Sequence, residues 1–244
     1  FGLDDALPFL ADRVICEGAA GEDGMPVVFS HELNVQTVQP GDFKITSASG
    51  SVGEVRCLTL APADDPGELR TVLLIGQYGS IHDQPETVEI VGNVLSKDNS
   101  LNFKNASVAV TPLEHGPSLV AAELLPQTEW MLDHPGTTLP FGGGTGCPTG
   151  TRQVVRVTWE GGVTKPDGKD ADAVERDLYE VTYELPTGST TARPPLALAD
   201  LGDGDNNHKL CLDSEDAVKA VSFPAGRLTD PRNDPNPATC LLYT

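Results

Sequence analysis

The chain has 244 residues, 39% of them hydrophobic, with 25 glycines and 20 prolines. That is enough to bury one large core or two of ordinary size, and too heavily punctuated for long helices. Its 36 acidic and 16 basic side chains give a formal charge of −20, spread over both halves: residues 1–125 hold 18 acids and 6 bases, residues 126–244 hold 18 and 10. Such a surface repels nucleic-acid phosphates and anionic headgroups, and no apolar run approaches the roughly 20 residues that span a bilayer, so neither a nucleic-acid partner nor a membrane-embedded chain is expected.

The chain starts on Phe1 rather than Met, as a mature form does once an export signal is removed. Residues 1–24 read as an N-terminal extension in which Asp4–Ile15 can form a short amphipathic turn despite Pro8. Strand-like runs of about six residues follow, each bounded by Gly, Pro, Asp or Ser. In order they are MPVVFSHEL (Met25–Leu33), GDFKITSASG (Gly41–Gly50), EVRCLTLAP (Glu54–Pro62), LRTVLLIG (Leu69–Gly76), ETVEIVGNVLS (Glu86–Ser96) and ASVAVTPL (Ala106–Leu113). Asn105-Ala106-Ser107 is a glycosylation sequon, which matters in a eukaryotic secretory host.

A Gly/Pro-rich joint over 126–151, with TTLPFGGGTGCPTGT at its centre, separates a first unit at 25–125 from a second at 152–244. Its PFGGGTG run lacks the Lys-Ser or Lys-Thr that would reach a phosphate, and reads as a linker. Beyond it the strand order recurs: QVVRVTWEGGV answers MPVVFSHEL, DLYEVTYELPTG answers GDFKITSASG, and PLALAD answers CLTLAP. HKLCLD then answers LRTVLLIG, AVSFPAGRLTD answers VEIVGNVLSKD, and ATCLLYT answers ASVAVT. Asp170–Asp177 and Ser214–Val221 can each form one or two helical turns, and Trp130 and Trp159 are expected in a core or interface.

Units of about 100 residues with five to seven short strands predict an all-β chain of two tandem β-sandwiches; one larger sandwich sharing strands across the joint is the alternative. VVFSHELN (Val27–Asn34), PGDFKIT (Pro40–Thr46) and VEIVGNVLSKDN (Val88–Asn99) make the first unit resemble the bacterial immunoglobulin-like domain of the surface-layer-protein type. The resemblance implies tandem immunoglobulin-like, non-catalytic modules used outside the cell for spacing, adhesion or display.

Motifs for chemistry are sparse. His31-Glu32-Leu33-Asn34-Val35 starts like a zinc helix motif but has Val35 where the second His belongs. No Gly-x-Ser-x-Gly elbow exists, and carboxylate pairs for polymer hydrolysis are defined by distance, which sequence does not give. Asp200, Asp203, Asp205 and Asn207 place oxygen ligands along one loop, as a calcium-wrapping turn does, without the Gly and Glu of an EF-hand. Asp230, Asn233 and Asp234 form a second oxygen-rich turn. Both stretches are also composed of the residues that β-turns favour, so calcium and a plain solvated turn both stand.

Five widely spaced cysteines fit two disulfides and one thiol, with Cys16 pairing Cys57, and Cys147 pairing Cys211 or Cys240; five reduced thiols is the alternative. The leading expectation is therefore an extracellular, cell-surface or periplasmic interaction module with a protein or carbohydrate partner, and calcium as a stabilising ion. An extracellular polymer-degrading hydrolase or lyase, with acids converging in a cleft between the units, is the competing one.

Overall fold

Alternating apolar and polar side chains set the strands of the first unit. The computed structural model describes residues 1–3, 6–130, 146–202 and 204–242, and within them the chain is mostly β, with fourteen strands in four antiparallel sheets. Two compact units result, Phe1–Glu114 and His115–Thr244.

The first unit holds β1 (Asp23–Val28), β2 (Phe43–Ser47), β3 (Glu54–Thr59), β4 (Thr71–Gln77), β5 (Pro85–Ile90) and β6 (Ser107–Ala109). They pair as β1-β4-β3 and β2-β5-β6. Phe43 and Ile45, two apart on β2, turn inward with Val88 and Ile90 of β5. Met25 and Val27 of β1 and Val72 and Leu74 of β4 meet them from the other sheet, so both sheets feed one core, as in a sandwich. Phe29 ties that core to the loops, with its ring edge-on to Phe43 at 6.5 Å and to Phe103 at 5.0 Å.

Residues 1–24, expected as an extension, belong to this unit. Gly2 and Gly24 exchange backbone hydrogen bonds of 2.8 and 3.0 Å along the outer edge of β1. Pairing stops there because Pro26, two residues on and facing the same edge, has no N–H. A one-turn helix α1 (Ala11–Val14) then crosses the outer face of β4, where Ala11 and Ala19 bury Ile75 beside Leu7, Ile15 and Leu73. A disulfide between Cys16 and Cys57 staples this strap to β3.

The second unit contains β7 (Leu119–Leu124), β8 (Gln153–Trp159), β9 (Glu180–Glu184), β10 (Thr190–Arg193), β11 (Ala197–Ala199), β12 (Asn207–Leu212), β13 (Ala217–Phe223) and β14 (Thr239–Leu242). Its sheets run β11-β12-β8-β7 and β10-β9-β13-β14. Stripped of β7 and β10, this is the order of the first unit strand for strand, in the correspondence that the sequence repeat gives. Val155, Val157, Trp159, Leu210 and Leu212 face Tyr179, Val181, Val221 and Phe223 across the core, and the Trp159 and Phe223 rings meet edge-on at 5.4 Å. Trp130 is half-buried and donates its Nε1–H to Leu125 O at 3.0 Å.

Three expectations need correction. Leu119–Leu124, assigned to the first unit, pairs with β8, so the division falls after Glu114 and the Gly/Pro-rich stretch lies inside the second unit. Residues 131–145 of that stretch lie outside the described residues. Ser214–Val221 is not helical: its second half enters β13, where a bulge between Val218 and Ala220 lets Val218 and Val221 share the core face at a three-residue spacing that mimics a helix. By contrast α2 (Ala173–Arg176) is helical, begun by a capping box in which Asp172 accepts from Val174 N–H and Glu175 accepts from Asp172 N–H. Finally β10, absent from the sequence reading, extends the β9 edge through the Pro186-Thr187-Gly188 turn.

Both units staple the segment preceding their first shared strand to the same sheet, but not to the same strand. Cys57 on β3 lies opposite Ile75 on β4; in the second unit Ala197 on β11 lies opposite Cys211 on β12, and Cys211 bonds Cys147. The rung is the same and the cysteine has moved one strand over. Cys240 remains a free, exposed thiol.

Candidate functional site

The loop joining β11 to β12 carries the strongest sequence candidates. Asp200 closes β11 with φ of 65°, a left-handed conformation that Asp tolerates better than branched residues. Its side chain is buried, 1% exposed. Lys209, across from Ala199 on β12, is equally buried and places its Nζ 3.4 Å from Asp200 Oδ2. Among the described residues neither Asp200 oxygen accepts a hydrogen bond, so its contact with Lys209 is one of charge. Asp203 lies outside the described residues.

Asp205 and Asn207 are brought together, but for a local purpose. Asp205 Oδ1 accepts from Asn207 N–H at 2.7 Å and Oδ2 from the Asn207 carboxamide at 2.6 Å, while Asn207 Oδ1 accepts from the Thr158 hydroxyl at 2.8 Å. Asn206 joins in, donating to Trp159 O at 2.7 Å. The loop's amides and hydroxyls thus lock it to the end of β8, the turn-forming use of Asp and Asn.

His208, next in line, points into the core. Its Nδ1 lies 2.8 Å from the Tyr179 hydroxyl, which also receives the Trp159 Nε1–H at 3.1 Å. The arrangement that uses every proton has Tyr179 donating to Nδ1, leaving the neutral imidazole protonated on Nε2. Burial pushes the His208 pKa down to about 4, with the Asp200 carboxylate partly opposing, and burial holds the Tyr179 phenol protonated.

Asp230, Asn233 and Asp234 come together in a second turn. Asp230 Oδ1 accepts from the N–H of Arg232 and of Asp234, both at 2.9 Å, and Asn233 supplies the left-handed residue with φ of 69°. Burial raises the Asp230 pKa, and those two N–H groups oppose the shift. Nearby, buried Asn236 receives Arg227 and Leu228 N–H and donates to Pro224 O and Pro237 O, which fastens the hairpin between β13 and β14.

Sequence reasoning missed the charged row on the outer face of the β11-β12-β8-β7 sheet. Glu123 on β7, Arg156 on β8 and Lys209 on β12 are cross-strand neighbours, with Asp200 just past the end of β11. Arg156 is buried and grips Glu123 Oε1 through Nε at 2.9 Å and a terminal nitrogen at 2.6 Å. Period-two reading puts Arg156 and Lys209 on one face, but their burial is a tertiary fact.

No catalytic constellation appears among the described residues. Ser30 Oγ and His31 Nδ1 are 2.9 Å apart but both exposed, and no third group orients the imidazole. A groove of about 480 Å³ in the second unit is bordered by Asp177, Glu180, Ser222, Phe223, Pro224 and Cys240. Among the described residues no three His, Cys, Asp or Glu side chains are grouped to hold a metal ion, and no helix is long and apolar enough to cross a membrane. No protein-family model, curated protein or solved structure matches the chain.

Proposed function

We propose that the protein is a non-catalytic extracellular module of two tandem immunoglobulin-like sandwiches, serving spacing, adhesion or display toward a protein or carbohydrate partner. The observation that carries this reading is strand order. Lettered from B, the first unit pairs as D-E-B and C-F-G; the second pairs as D-E-B-A and C′-C-F-G. That order is like the two-sheet pattern of immunoglobulin-type domains, and its recurrence in both units supports the tandem reading. Two disulfides support an oxidising location.

Alkylation of thiols in intact producing cells before lysis tests the location. Cys240 alone should react; labelling of all five cysteines would place the chain in a reducing compartment and end the reading. Incubating the purified chain with polysaccharide and polypeptide substrates tests the rest, and turnover would favour a hydrolase.

Calcium stabilisation is a separate proposal, confined to the β11–β12 loop. Asp200, buried with neither oxygen hydrogen-bonded, supports it; Lys209 already balances that charge and stands against it. A melting temperature lowered by chelator would favour the ion, and an unchanged one the ammonium.

A further inference from the structure

Asn105-Ala106-Ser107 is the only Asn-x-Ser/Thr tripeptide in the chain, and the fold treats its asparagine differently from its neighbours. In the same connection between β5 and β6, the Asn102 carboxamide donates to Asn93 at 3.1 Å, and Asn99 accepts from Asn34 at 2.8 Å. The Asn105 carboxamide and the Ser107 hydroxyl make no such bond among the described residues. Their backbone is nonetheless fixed: Asn105 N–H donates to Ile90 O at 2.7 Å and Ile90 N–H to Ala106 O at 2.9 Å. With φ of 71°, Asn105 occupies a left-handed turn, and every residue from Lys104 to Ala109 is exposed.

Past the tripeptide the sheet has an open edge. Among the described residues β6 ends the β2-β5-β6 sheet with no strand on its far side, and Val108 is 54% exposed upon it. Such an edge is a template for pairing with another chain unless something bulky or charged obstructs it. We propose that Asn105 is the acceptor of an N-linked oligosaccharide whose bulk shields the β6 edge. In the transfer, Asn105 Nδ2 bonds to the anomeric carbon of a lipid-diphosphate-linked oligosaccharide and the bond from that carbon to the diphosphate oxygen breaks. One Nδ2 proton passes to a base of the transferase, and nothing is oxidised or reduced. Disulfide formation requires the same kind of compartment, which the chain's two disulfides satisfy independently of any reading of its fold.

The test is secretion of the full chain from a eukaryotic cell line, followed by intact-mass measurement and peptide mapping. A mass excess at Asn105, removed by peptide N-glycosidase with conversion to Asp, is expected. Asn105→Gln and Ser107→Ala should both lack it, the second keeping the native turn residue. An unmodified Asn105 in the folded, secreted chain overturns the acceptor assignment. Sedimentation of the same preparation before and after glycosidase tests the shielding: concentration-dependent self-association should appear on removal, and identical sedimentation overturns that role.

Discussion

Lys209 Nζ stands 3.4 Å from Asp200 Oδ2, with both side chains withdrawn from water. An ammonium in that position neutralises a buried carboxylate without an added ion, and removing the ammonium leaves the Asp200 carboxylate buried without that cation. Lys209→Met should therefore cost about 3–5 kcal/mol in urea unfolding. The matched loop of the first unit provides the control: Asp64 is exposed, and Asp64→Ala should change stability by about 0.5 kcal/mol or less.

His208 makes the second unit sensitive to mild acid. Its folded pKa of about 4 lies below the ordinary 6.5, so the unfolded chain binds the extra proton between those values. Stability is full above pH 6.5, falls as pH drops toward 4 and then levels, a loss of about 3 kcal/mol from this residue. Comparing denaturation midpoints of wild type and His208→Gln across pH 7.5 to 4 should show a shallower slope in the variant. Asp83 and Asp98 in the first unit act in a different window: serine hydroxyls and backbone N–H groups lower their pKa values, to about 2 for Asp98, and their contribution is lost only as pH falls below about 4.

Tyr179 serves two buried partners at once, and Tyr179→Phe leaves the Trp159 indole N–H and His208 Nδ1 without their shared oxygen. A loss of about 1–3 kcal/mol is expected, together with a changed Trp159 emission while the fold persists.

Each disulfide closes a long loop, 41 residues for Cys16–Cys57 and 64 for Cys147–Cys211. By chain entropy, serine replacement of either pair should cost about 4 kcal/mol. The melt should resolve which unit is affected: Cys16→Ser with Cys57→Ser should lower the unfolding temperature of the first unit and leave the His208-dependent acid response of the second untouched.

Legibility in the sequence followed the physics of each element. Strands that face a core on one side, such as Phe43–Ser47, announce themselves by alternation, and their recurrence pointed to two units and to Cys16–Cys57, while leaving Cys147 open between Cys211 and Cys240. β7 and β10 were missed because they are edge strands: Leu119–Leu124 is rich in Ala, Leu and Glu, which favour helix, and Thr190–Arg193 is nearly all exposed, so neither carries a core-facing pattern. In the candidate loop, the spacing of Asp205 and Asn207 was visible but its use was not, since an oxygen that binds a cation and one that binds a neighbouring N–H are written with the same letters. Lys209 was unreadable for another reason: whether an outward lysine meets water depends on what lies over the sheet.

The sideways step of the cysteine from the β3 position to the β12 position bears on ancestry. If the two units descend from one duplicated domain, their sheet cysteines no longer occupy equivalent strands, so the two have diverged in where the tether is anchored. Neighbours on one rung sit only about 5.5 Å apart, so a tether anchored to either reaches the same strap. The tether's presence, and not its address, is what the two units have in common, and an alignment scored on matching cysteines would separate two halves that share a common plan.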